Sequence, residues 1–206
     1  MPYSEEERLA RQEQTGKINR FIMFAVAGLF LVVVLPSIVV ISKIAVDIYI
    51  PQAGESAPAF SLANQDGQLV RSSDLEGDWW LVFFYTQNQR PESMLAARSF
   101  RDQYRHFKDM KLRVLGVSYD EVAVHHDFVS NLSLDFDLLS DPDGEVIATY
   151  GAEPGMKNIS NMISYLVDDA GVIRKVYMQI DPVSHAAEVV RDARAMQRGG
   201  GVSRPI

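Results

Sequence analysis

Cysteine is absent from all 206 residues of this chain. Disulfide staples, thiolate nucleophiles, C-x-x-C redox pairs and cysteine-ligated metals are therefore excluded by composition. Basic residues are in the minority, with 20 Lys and Arg against 27 Asp and Glu, for a formal charge of −7. The deficit lies downstream: residues 51–206 hold 15 basic and 22 acidic side chains, while the first 50 hold five of each. Nucleic acid and anionic lipid both need a basic footprint, so neither is an expected partner, although attraction to a basic partner is permitted. No internal repeat or low-complexity block interrupts the chain. Without disulfides, a globular part of about 145 residues must be held by its core alone, and a domain of that size can do so.

Charge is also missing from residues 21–42, FIMFAVAGLFLVVVLPSIVVIS. As a helix this run spans about 33 Å, enough for a bilayer core of about 30 Å. It exceeds a signal-peptide core and has no small-x-small cleavage site directly after it, so it reads as a retained anchor. Pro36 within it is tolerable in a membrane helix. Arg8, Arg11, Lys17 and Arg20 precede the run and only Lys43 follows closely. The positive-inside rule then places the amino terminus in the cytoplasm and the rest beyond the membrane. The expectation is a single-pass protein of a bacterial inner membrane with a periplasmic domain.

Segment by segment, the sequence predicts a cytoplasmic stretch at 1–20, a transmembrane helix at 21–43, a linker at 44–56, a folded domain at 57–198 and a loose tail at 199–206. Trp79 to Tyr85 is a continuous apolar run of the kind buried on both faces of a sheet. A helix follows Pro91, with Ala97, Phe100, Tyr104 and Phe107 on one face. Arg113–Ser118 is the next buried strand, followed by helices over about Glu121–Asn131 and Gly144–Tyr150. Ile163–Val167 and Val172–Gln179 flank the turn Asp168-Asp169-Ala170-Gly171 as a hairpin. A last helix runs from about Pro182 to Arg198, with Ala186, Val189, Val190 and Ala193 inward, and glycines end it. Periodicity alone gives one α/β domain.

Four ordered stretches resemble the peroxiredoxin (AhpC/TSA) family, especially its bacterioferritin-comigratory branch. They are Gly54–Leu62 with Asp66-Gly67 and Ser73-Asp74-Leu75; Leu81–Tyr85 leading into Pro91; residues 114–152; and ISYLVDDAGVIRKVY at 163–177. The resemblance implies an α/β, thioredoxin-like (peroxiredoxin-like) sandwich, preceded here by one amino-terminal transmembrane helix. It also implies a P-x-x-x-T-x-x-C pattern after the strand and an arginine before a later strand. Laid on this chain, the proline falls on Thr86, the threonine on Arg90, the cysteine on Ser93 and the arginine on Met162. Every functional position is replaced. The family's thiolate attacks peroxide and becomes a sulfenic acid, whereas a serine hydroxyl has neither an accessible anion near neutral pH nor a reversible oxidation ladder. The eight methionines can be oxidised, but as damage or scavenging, not turnover. Membrane-tethered copper chaperones of the Sco type share the fold, but their C-x-x-x-C falls on Asn88 and Glu92 and their histidine near Ser160. Tethered thioredoxin-like reductases need C-x-x-C at about Asn88 and Pro91, which is also missing.

Other clusters carry less. His125 and His126 are adjacent and point apart on a helix, where metal pairs prefer a spacing of four. Ser93 at a helix start permits a Ser–His–Asp arrangement on paper, but no G-x-S-x-G elbow surrounds it. Asp135, Asp137, Asp141 and Asp143 offer oxygen ligands for calcium without the EF-hand glycine and terminal glutamate, and Asp141-Pro142-Asp143-Gly144 is ordinary turn chemistry. Trp79 and Trp80 alternate across a strand, which leaves one ring open to a partner unless helices cover both faces, the more expected arrangement. Arg90 and the loop at 151–161, with Lys157 and Asn158, are further candidate contact residues.

The expected function is a non-catalytic, membrane-anchored peroxiredoxin-like protein without a cofactor. It would serve as an accessory subunit of an inner-membrane complex, respiratory or photosynthetic, and contact integral-membrane partners through its helix and its domain. The alternative is a tethered redox or metal-handling protein that uses residues outside the family pattern.

Overall fold

The structure is a computed structural model that describes residues 49–153, 162–178 and 180–199, together with Met23 and Phe24. The chain divides into two compact units, Met1–Ile48 and Tyr49–Ile206. The stretch 1–20, the anchor at 21–43 (Met23 and Phe24 apart), Lys157 and Asn158, and the tail beyond Gly199 lie outside the described residues. The placement in a bacterial inner membrane, cytoplasmic amino terminus and periplasmic domain, is corrected. Among the described residues no helix is long and apolar enough to cross a membrane; their long helices each keep one polar face and bury the other on a sheet.

Seven strands form one sheet in the order β2-β1-β5-β4-β3-β6-β7. They are β1 (Ser61–Asn64), β2 (Leu69–Arg71), β3 (Trp79–Tyr85), β4 (Leu112–Ser118), β5 (Asp137–Ser140), β6 (Met162–Val167) and β7 (Ile173–Tyr177). Strands β3, β4 and β5 run parallel, joined by helical crossovers; β6 lies antiparallel to β3, and β7 to β6. The helices are α1 (Pro91–Asp109), α2 (Val122–Leu132), α3 (Glu145–Thr149) and α4 (His185–Gly199).

Alternation along β3 sends Leu81, Phe83 and Tyr85 to one face and Trp80, Val82 and Phe84 to the other. The first face packs under α1 and α4 with Ala97, Phe100, Phe107, Val189 and Ala193. The second packs against Phe60, Leu75, Ile147 and Tyr150. Both faces of β3 are therefore covered, which is why its sequence is an unbroken apolar run. Gly116 in β4 sits where a Cβ would lie 2.7 Å from Leu138 Cδ2 and 2.8 Å from Phe83 Cζ, so any side chain there requires those two to shift.

The segment expected as a linker up to residue 56 is bonded into the domain at its carboxyl end. Gly54 N–H donates to Ile173 O and Ile173 N–H to Glu55 O, each at 2.8 Å, and Ser56 bridges Val172. Backbone pairing with β7, which sequence patterning does not display, accounts for the difference.

Candidate functional site: the β3–α1 loop

Strand β3 ends at Tyr85, and the loop Thr86–Arg90 leads into α1. Pro91 opens the helix, where its missing N–H costs nothing and its fixed φ fits. Ser93 lies in the first turn, 5% exposed, facing inward with Ala96, Ala97 and Phe100. Met162 opens β6 directly opposite Tyr85 in register and is equally buried. Thr86 is half-buried and Arg90 is exposed. The fold thus brings Ser93 and Met162 to the same end of the sheet, where a helix amino terminus would favour an anion. Serine supplies no anion there, and the methionine supplies no positive charge.

A buried polar network pins the loop instead. Asn88 is 1% exposed. Its backbone N–H donates to Asp120 Oδ2 at 2.7 Å, and its Oδ1 accepts from Tyr85 Oη at 2.7 Å. Its amide nitrogen reaches Val124 O at 3.3 Å and His125 Nδ1 at 3.1 Å. On the other side of the ring, His125 Nε2 lies 3.2 Å from Leu139 O. A carbonyl only accepts, so Nε2 carries the proton and Nδ1 accepts from Asn88, which makes the imidazole neutral. Burial pulls the His125 pKa below its ordinary value, against the opposing charge of Asp120. Burial likewise pushes the Tyr85 phenol up, keeping it a donor. Ser118 Oγ donates to Asp120 Oδ2 at 2.8 Å, and Ser140 Oγ to Asp120 O at 2.8 Å. One loop, the ends of β3, β4 and β5, and α2 are joined by these bonds.

A second buried group lies deeper under α1 and α4. His185 Nε2 is 3.0 Å from Ser164 Oγ, while its Nδ1 has no hydrogen-bond partner and sits 3.8 Å from the Glu188 carboxylate. The order Ser–His–Glu looks hydrolytic, but Ser164 is 0% and His185 1% exposed, so no substrate reaches the hydroxyl. Burial lowers the His185 pKa to about 4.

The remaining candidates separate. Trp80 is 3% exposed, edge-on to Phe60 in the core, and offers no ring to a partner; Trp79 is partly buried against the α1–α4 side. His125 is buried and His126 exposed, as adjacent helix residues should be. Asp137 is committed to Asn64 and Gln65, Asp141 to the N–H of Ile147, and the aspartates do not converge. Among the described residues no group of three His, Asp or Glu side chains could hold a metal ion. Sequence reasoning missed the Tyr85–Asn88–His125–Asp120 network. One signal was available: His125 precedes Phe128, Val129 and Leu132 at helical spacing, on the stripe that packs inward.

The model of the AhpC/TSA family matches residues 53–176. The chain belongs to the AhpC/TSA family. A putative peroxiredoxin bcp of Coxiella burnetii is 31% identical over 145 residues, covering 68% of this chain and 96% of that protein. Peroxiredoxin Q, chloroplastic, of Oryza sativa subsp. japonica is 33% identical over 140 residues, but this chain spans only 64% of its length. Among solved structures, peroxidoxin BcpB from Mycobacterium tuberculosis superimposes with a TM-score of 0.65 at 25% identity, over 72% of this chain and 99% of that one. A cysteine-to-serine variant of Xylella fastidiosa PrxQ gives a TM-score of 0.66 at 22% identity, a likeness of fold. This peroxiredoxin-family chain therefore has the thioredoxin-like α/β domain with no cysteine anywhere in it.

Proposed function

We propose that this chain is a non-catalytic member of the peroxiredoxin family that works as a protein-interaction module, an accessory component of a larger assembly. The reading rests on Ser93, a buried hydroxyl at the helix start, on which the family pattern, laid along the sequence, puts its cysteine. Peroxide reduction by this family needs a thiolate nucleophile and a sulfur that cycles through sulfenic acid, and the chain contains neither. Met162 adds an apolar side chain where the pattern has an arginine. The bonds of Asn88 to Tyr85, Asp120 and His125 pin the loop to its surroundings, in support of a static scaffold rather than a working site. A fold can persist while its site is lost, and the exposed surface is then free for binding.

Nothing in the described geometry favours the redox or metal-handling alternative. The test is crosslinking in native extracts of the full chain, with mass-spectrometric identification of attached proteins. Recovery of one stoichiometric partner is the expected result. A protein that stays monomeric and uncrosslinked, or that consumes peroxide, overturns the proposal.

A further inference from the structure

We infer that the groove between α1 and α4 docks an acidic, Asp/Glu-rich segment of a partner protein. The inference deepens the reading of the domain as an interaction module and rests on it. The groove has a volume of about 470 Å³ and is lined by Gln103, His106, Val190, Arg191, Arg194 and Arg198, among others. The three arginines follow one another at helical spacings of three and four, so they form a single stripe along α4.

Their charge is not consumed within the fold. The carboxylates on the same helix turn toward β7, where Lys175 Nζ binds Glu188 at 3.2 Å and Asp192 at 2.6 Å. Arg191 keeps only a 3.6 Å approach to Asp192, with its side chain 71% exposed. Arg194 Nη2 donates to His106 Nδ1 at 3.0 Å, and a neutral imidazole acceptor leaves the guanidinium charge uncompensated. Among the described residues no ion pair engages Arg194 or Arg198. This stripe belongs to an acidic molecule: α1 and α4 carry seven basic and five acidic side chains, against 15 and 22 across residues 51–206. An isolated basic stripe on an acidic domain is a steering feature for an anion of limited extent.

Carboxylates match this surface best. Guanidinium groups pair with carboxylates through two parallel hydrogen bonds. The groove floor at Val190 is apolar and suits the methylene stems of glutamate or an apolar neighbour in a peptide. A nucleic acid would extend its charge beyond the stripe onto acidic surface and meet repulsion.

The experiment is fluorescence anisotropy of a labelled dodecapeptide rich in Glu and Asp against the full chain, with a Gln/Asn peptide of the same length as control. The expected result is saturable binding that falls with added salt and is absent for the neutral peptide. Arg191→Glu/Arg194→Glu/Arg198→Glu should weaken it by at least roughly tenfold. Arg105→Glu, an exposed arginine of α1 outside the groove lining, should not. Milder Arg194→Gln/Arg198→Gln, checked by circular dichroism, gives a smaller loss in a chain whose fold is verified. No saturable binding, an equal loss in Arg105→Glu, or tighter binding of single-stranded DNA or inorganic phosphate through the same arginines would overturn the inference. Peroxide turnover is measured separately, so failure here and failure of the non-catalytic reading are distinct results.

Discussion

Asn88 Nδ2 lies 3.1 Å from His125 Nδ1, and that contact joins the loop after β3 to the helix after β4. Both side chains are buried, so each depends on the other for a partner that water cannot replace. Replacing Asn88 by Ala takes the acceptor from the Tyr85 hydroxyl and leaves His125 Nδ1 without its donor. Unsatisfied buried groups cost about 1–3 kcal/mol each. Asn88→Ala should therefore lower unfolding free energy by about 3 kcal/mol in urea titration. A loss below about 1 kcal/mol, the level of a single exchanged hydrogen bond, would show that the network does not hold the loop.

Two buried neutral histidines make stability depend on pH. In the unfolded chain each imidazole takes up a proton near its ordinary pKa of 6.5, whereas in the fold burial lowers both, His185 to about 4. Between those limits the unfolded state binds more protons, so stability is full above about pH 6.5 and is lost as pH falls toward 4. His185 alone accounts for a loss of about 3 kcal/mol over that window. His185→Leu should be less stable at pH 7, because Ser164 loses its partner, but should show a flatter decline toward pH 4. An unchanged slope in that variant would contradict the assignment.

Restoring sulfur alone should not restore the chemistry. Ser93→Cys puts a thiol in a nearly buried first turn at the end of the sheet where Met162 also lies, without the arginine of the family pattern. Its reaction with peroxide, followed by stopped-flow fluorescence, should be no faster than that of a free thiol of equal ionisation. Adding Met162→Arg should raise the rate by supplying the missing charge. A fast, saturable reaction from Ser93→Cys by itself would mean that the rest of the site is intact.

Gly116→Ala tests the packing of the central strands. The new methyl would meet Leu138 Cδ2 and the Phe83 ring below 3.0 Å, and overpacking of that kind costs about 1–3 kcal/mol. Thermal denaturation should show a lower midpoint with the same fold by circular dichroism. A neutral substitution would mean that Phe83 and Leu138 have room to move.

The major elements were legible because burial on one or both faces writes a period into the sequence. The apolar run at β3 matches its observed bounds, and the helix after Pro91 places Ala97, Phe100 and Phe107 inward as its spacing requires. Strands β1, β2 and β5 were not legible. They are three or four residues long, and Asp137 at the start of β5 reads as part of an acidic turn until Asn64 and Gln65 bond it. Ser93 and Met162 were singled out by laying the family pattern on the sequence. The bonds joining Asn88 to Asp120 and His125 were not legible, because contacts between residues more than thirty apart leave no local signature. The α4 arginines were visible as residues, but not as a stripe freed by Lys175 from its acidic neighbours.

The most direct measurement is hydroperoxide consumption by the purified full chain, with a dithiol or thioredoxin system as electron donor and Ser93→Ala alongside. The expected result is a rate equal to donor and buffer alone, identical for both proteins. Saturable turnover by the wild-type chain, abolished in Ser93→Ala, would contradict the claim that the fold persists here without peroxidase chemistry.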